Sequence, residues 1–133
     1  SDSKLGVVYG KQEVDLNKGN LYEYHARSFN YKEKSYIVGK ESIRELGIKT
    51  IFSSDAFAIY NLKLFSKIDF FVDSNDVSED MIAAHNFLMA NYLVGYCSTA
   101  IVNHTHNYTV YDEYKRYVMV YNISGIKINL FHR

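Results

Sequence analysis

The chain has no proline, no tryptophan, a single cysteine, no net charge and no long apolar run. The lone cysteine, Cys97, excludes an internal disulfide and any Cys-x-x-Cys metal site. It lies in the apolar run Val94-Gly95-Tyr96-Cys97 and is read as a buried core residue. Fifteen basic and fifteen acidic residues cancel. That balance argues against a strongly cationic nucleic-acid binder and equally against an acidic mimic of DNA. No apolar run approaches the ~18 residues of a membrane span. The opening residues, Ser1 to Gly6, show no basic region followed by an apolar stretch, so no secretory signal and a cytoplasmic location are expected. The missing proline and tryptophan accompany abundant Lys, Asn, Ile, Tyr and Phe. An AT-rich coding sequence gives that pattern, and a phage or mobile element is a common source.

What is present suffices for a core. The chain has 133 residues, the size of one domain. Apolar residues make up 47% and charged residues 23%, which excludes a disordered chain. No repeat, low-complexity tract or Ser/Gly linker divides it, so residues 1–133 are read as one domain. Residues 51–100 carry six acidic groups against two basic ones, which suits a metal site or a solvated face.

Apolar patterning predicts an α+β domain, a mixed or antiparallel sheet with two or three helices packed on it. Strands are expected at Leu5–Tyr9, Leu21–His25, Lys34–Val38 and Lys49–Phe52. Helices are expected at Lys40–Leu46, stopped by Gly47, and at Asp55–Leu62. A further strand is expected at Lys67–Val72. The clearest helix follows Asp76, with Glu79 at capping-box spacing and Met81, Ala84, Leu88 and Tyr92 at helical intervals. The last third reads as strands at Tyr96–Val102, Tyr108–Tyr111, Tyr117–Tyr121 and Ile126–Phe131. Ser124-Gly125 would form the turn of a hairpin.

Within residues 40–72, a short helix leads into the apolar Thr50-Ile51-Phe52, then the small pair Ser53-Ser54, a helix, and the strand Lys67-Ile68-Asp69-Phe70-Phe71-Val72. This order resembles the core of minimal nucleotidyltransferases. There a small-residue pair opens a helix, a strand carries acid-apolar-acid, and a later strand supplies a third acid. The resemblance implies a binding cleft formed by Ser53, Ser54, Asp55, Lys67, Asp69 and Asn129, with Asp69 the catalytic acid of an active protein. It would use Mg²⁺, because phosphoryl transfer leans on hard divalent ions held by carboxylates. The pattern is degenerate, however. Lys67 replaces the first acid and Asn129 the third. An ammonium group there would repel a divalent ion and could pair with Asp69. Asp55 would compete with a phosphate at the helix N-terminus. The expectation is therefore a non-catalytic protein without a cofactor, a phage or mobile-element factor that modulates a host macromolecule.

Two alternatives stand beside it: an active Mg²⁺-dependent nucleotidyltransferase using Asp55, Asp69 and Asp73, and an assembly protein joined through sheet edges. The thirteen tyrosines suit a protein partner, since tyrosine combines apolar area with a polar tip. Nucleic acid is less favoured by the neutral charge, and no membrane partner is expected. His104 and His106 would share a face of a strand and could bind zinc with His85 or His132, although a polar loop explains them as well. Three Asn-x-Ser/Thr triplets, at Asn103, Asn107 and Asn122, are read as chance.

Overall fold

The computed structural model describes residues 4–68 and 79–126. It shows an α+β arrangement in which a four-stranded mixed sheet carries five α-helices among those residues. The sheet order is β2 (Tyr36–Val38), β4 (Leu93–Asn103), β1 (Leu5–Glu13), β3 (Ala58–Tyr60). The two long central strands run parallel, and the short edge strands pair antiparallel to them. A parallel pair needs a crossover; here residues 14–92 make it.

The core forms where α4 (Glu79–Met89) lies against this sheet. Ile82, Ala83, Ala84, Phe87 and Leu88 of α4 are buried, as are Val7 and Tyr9 of β1 and Val94 and Tyr96 of β4. A helix apolar on nearly every side cannot sit at a surface, and α4 is such a helix. At the other end of the core, Tyr9, Tyr31, Tyr96 and Phe52 meet with ring centroids 5.2–6.5 Å apart. The Tyr9 and Tyr36 hydroxyls bond at 2.6 Å, so the buried phenol keeps a partner. Burial pushes the Tyr9 phenol well above its ordinary pKa.

The β1–β4 ladder breaks twice, between Leu5 and Val7 and again after Gly10. Gly10 faces Cys97, but the next residue, Lys11, faces Ile101. A side chain at Gly10 would collide with the Phe57 ring and the Ala100 carbonyl oxygen, so the close approach at this bulge requires glycine. Cys97 is half-buried next to the irregularity, not enclosed in the core as its apolar neighbours suggest.

Several sequence expectations are corrected. Leu21–His25 belongs to helix α1 (Leu21–Asn30). Its N-cap, Asn20, accepts a bond from the Glu23 N–H at 3.0 Å, and that cap outweighs the strand-like alternation. Lys49–Phe52 is not a strand: Gly47–Ile51 forms a 3₁₀ turn, after α2 (Ile43–Leu46) ends at Gly47 with φ +56°. Asp55–Leu62 is not a helix. A 3₁₀ turn at Asp55–Phe57 leads into β3, which pairs with Val7–Tyr9, and α3 is the short Leu62–Phe65. Tyr108–Tyr111 and Tyr117–Tyr121 fall at or within α5 (Val110–Ile126), which also contains Ser124 and Gly125, so no hairpin forms there. Its cap is Thr109: the hydroxyl accepts from the Asp112 N–H at 3.2 Å and the Asp112 carboxylate accepts from the Thr109 N–H at 3.1 Å. Most of Lys67–Val72, and Ile126–Phe131 beyond its first residue, lie outside the described residues. Among those described, no helix is long and apolar enough to cross a membrane.

Candidate functional site

A cavity of about 580 Å³ opens between the last turns of α1, the segment from Ile48 to Ser54, the start of α4 and one face of α5. Its volume is in the range of small-molecule sites. Arg27 and Phe29 come from α1, Tyr31 from the residue that caps it, and Phe52, Ser53 and Ser54 from the irregular stretch before the Asp55 turn. Asp80 sits at the first turn of α4, and Glu113, Tyr114, Arg116 and Tyr117 come from α5.

Among the described residues, Asp80 is the acid whose pKa is raised. Removal from water pushes its pKa up to about 6, helped by the negative charge of Asp55; backbone N–H bonds, chiefly from Met81 at 2.7 Å, pull the other way. A carboxylate of that kind can take a proton near neutral pH, as a general base must. Around it, Tyr31 is buried with a raised phenol pKa, again from lost solvation. Gln12 donates to the Ser54 hydroxyl, and the Ser53 hydroxyl and the Arg27 Nε are buried without a partner. The two arginines are engaged with acids: Arg27 with Glu23 at 3.5 Å and Arg116 with Glu113 at 3.8 Å.

The loop that leads into α5 is pinned. Residues 104–109 connect β4 to α5, and their backbone is held at four points. The His104 N–H donates to the Glu13 carbonyl at 2.9 Å. The fully buried Glu23 carboxylate accepts from His106 N–H at 2.8 Å and Asn107 N–H at 3.1 Å. The Asn20 amide donates to the Tyr108 carbonyl at 2.6 Å. Thr105 adds a side-chain bond, accepting from the Asp15 N–H at 3.0 Å. The loop presents His104 and His106 with ring centroids 4.2 Å apart, and His106 stacks on Tyr108 at 4.7 Å. Desolvation lowers both imidazole pKa values; the neighbouring His106 adds to the effect at His104, and Arg27 and Arg116 add to it at both. The pair is thus disposed to be neutral. Among the described residues no third His, Cys, Asp or Glu joins them in a cation-binding group. His85 lies on α4, its ring nitrogen 3.2 Å from the Asn86 side chain, and His132 lies outside the described residues.

The sequence-predicted site is brought together only in part. Ser53 and Ser54 do line the cavity. Asp55 opens a 3₁₀ turn, and its carboxylate accepts from the Tyr60 hydroxyl. Lys67 is an exposed turn residue after α3. Asp69, Asp73 and Asn129 lie outside the described residues, so the expected Lys67–Asp69 contact does too. The described part of Thr50–Val72 does not follow the strand, helix, strand order on which the nucleotidyltransferase resemblance rested. Arg27, Asp80, Glu113 and Arg116 went unread, and Tyr31, Tyr114 and Tyr117 were read only among the tyrosines that suit a protein partner. The signal for Asp80 was available as an acid at the start of the clearest helix, one residue beyond Glu79, the acid read as the capping-box partner of Asp76.

Two known proteins are similar to this chain. One is the O-antigen chain rhamnosyltransferase RfbN of Salmonella typhimurium strain LT2, 40% identical over 117 residues. The other is the O-antigen chain rhamnosyltransferase WbaN of Salmonella anatum, 38% identical over 117 residues. Each alignment takes in 88% of this chain, and the chain spans 37% of the length of each relative. No family model matches it, and no solved structure matches it. These relatives overturn the expectation of a non-catalytic phage or mobile-element factor acting on a host macromolecule: they point to a glycosyltransferase-related role. The compositional bias that suggested a phage carried no chemical information.

Proposed function

We propose that this chain is part of a glycosyltransferase that moves a rhamnosyl group onto a hydroxyl of an O-antigen-type glycan. The observation that carries the reading is the 40% identity to a rhamnosyltransferase over 88% of the chain. The geometry supplies the group such a reaction asks of a protein. Asp80, ionised above pH about 6, takes the proton of the acceptor hydroxyl as that oxygen bonds to the anomeric carbon of an activated rhamnose. The bond from that carbon to the leaving group breaks, and the leaving group departs with the electron pair. Asp80 faces a cavity in which the acceptor can be held with its oxygen oriented, so the encounter is organised before the bond forms.

The test exchanges this segment for the matching one in RfbN and measures rhamnose transfer from a nucleotide-activated donor to an O-antigen acceptor. The chimera is expected to transfer rhamnose, with a rate that falls as pH drops through about 6. Asp80→Asn is expected to cut the rate by about 10²–10⁴-fold. A chimera that works equally well with asparagine at position 80 removes Asp80 from the reaction.

A further inference from the structure

We infer that the α5 wall of the cavity is a platform for an acceptor sugar, with Tyr114 and Tyr117 as the rings on which it lies. This rests on the rhamnosyl-transfer reading of the same cavity. The two tyrosines are three apart on one helix, hence neighbours on one face, and both line the cavity. They are 63% and 52% exposed, a costly placement for two large rings that border a cavity. The other tyrosines of this region are occupied: Lys115 lies over Tyr111 at 4.2 Å, and Arg116 over Tyr108 at 5.0 Å. Among the described residues, the rings of Tyr114 and Tyr117 are stacked on nothing. Phe29, Tyr31 and Phe52 line the same cavity.

The chemistry of the walls selects the occupant. A pyranose has an apolar C–H face and a rim of hydroxyls, and a tyrosine ring with a wet polar tip suits both. At the same wall the Glu113–Arg116 pair presents an acceptor and donors, the polar groups that hydroxyls need. A phosphate-bearing donor fits poorly. Arg27 and Arg116 each sit beside an acid, Lys49 of the lining lies over the Phe29 ring at 4.6 Å, and the first turn of α4 carries Glu79 and Asp80, which oppose an anion at that helix N-terminus. An uncharged glycan meets neither obstacle, and it would lie in the cavity that holds the proposed base.

The experiment titrates the 133-residue chain with delipidated O-antigen oligosaccharide from Salmonella typhimurium, followed by NMR, and separately with a nucleotide-activated rhamnose. Tyr114→Ala and Tyr117→Ala are each expected to weaken oligosaccharide binding about tenfold, the loss of one aromatic contact. Tyr114→Phe and Tyr117→Phe, which keep the ring, are expected to stay near wild type. Because both side chains are exposed, the alanine variants should fold, which circular dichroism checks. The platform is overturned if the alanine variants bind as tightly as wild type, if the oligosaccharide does not bind, or if the activated donor alone binds and depends on these rings. The two readings fail separately. Transfer lost with Asp80→Asn while the tyrosine variants bind normally removes the platform alone. Ring-dependent binding with no transfer in the RfbN chimera removes the reaction and leaves a glycan-binding surface.

Discussion

Asp80 carries opposite consequences for activity and for stability. Its folded pKa of about 6 lies above the ordinary 3.8, so the fold holds the proton more tightly than the unfolded chain does. Ionisation therefore costs stability: the cost is complete above pH about 6, and it is relieved as pH falls towards the unfolded value. Expressed as free energy, the tighter hold on the proton makes that cost on the order of 2–3 kcal/mol. Asp80→Asn removes it and keeps an oxygen for the Met81 N–H. Thermal melts are expected to show the variant more stable than wild type at pH 8, with the advantage vanishing near pH 4. His104 and His106 act in the other sense. Their lowered pKa values mean that stability is lost as pH falls through the ordinary histidine range, so the wild-type profile alone is a composite. The difference between wild type and Asp80→Asn cancels the histidine contribution and isolates the carboxyl. A variant less stable at pH 8 would mean that Asp80 is held by contacts more favourable than its desolvation suggests.

At the scale of elements, α1 and the β4–α5 loop form one unit through Glu23. Its carboxylate accepts two backbone N–H groups from the loop and faces Arg27. Glu23→Ala would leave those donors and the arginine without their partner in a buried place, a loss of about 3 kcal/mol or more. Hydrogen exchange at the His106 and Asn107 amides should accelerate in that variant more than exchange in β1. Equal acceleration everywhere would show that Glu23 supports the whole fold and not this loop. The same elements show what the sequence disclosed. The strand at Leu5, the Tyr96–Val102 part of β4 and the helix at Glu79 were legible because their apolar patterns agree with their final burial. α1 and α5 were not, because Leu21-Tyr22-Glu23-Tyr24 and the spaced tyrosines of 108–121 imitate strands. In both, the deciding information was in the caps, Asn20 with Glu23 and Thr109 with Asp112, which outweigh side-chain alternation. β3 was unreadable for a different reason: three residues hold no period, and Ala58–Tyr60 becomes a strand because β1 offers an edge. Little of the candidate site was legible. Ser53 and Ser54 were found as small residues at a junction, whereas Asp80 matters through burial, which no local pattern states.

The molecule as a whole is organised around a parallel pair whose strands lie far apart in the sequence. β1 and β4 are each bonded on both sides, whereas β2 and β3 are three-residue edges with one neighbour apiece. Opening β1 from β4 must also strip α4 from the sheet, because Phe87 and Leu88 are buried in the same core as Val7 and Val94. Separating β3 exposes little, since Ile59 is already mostly in water. Local opening should therefore be graded from the edges inward. Native-state hydrogen exchange is expected to find the slowest amides in β1, β4 and α4, at the free energy of global unfolding, with those of β2 and β3 faster. Phe87→Ala, costing about 3–5 kcal/mol, should lower protection in the three slow elements together by the same amount. Unequal losses among the three would break the single cooperative core that positions Asp80 at the head of α4 and, through β4 and its pinned loop, sets α5 across the cavity.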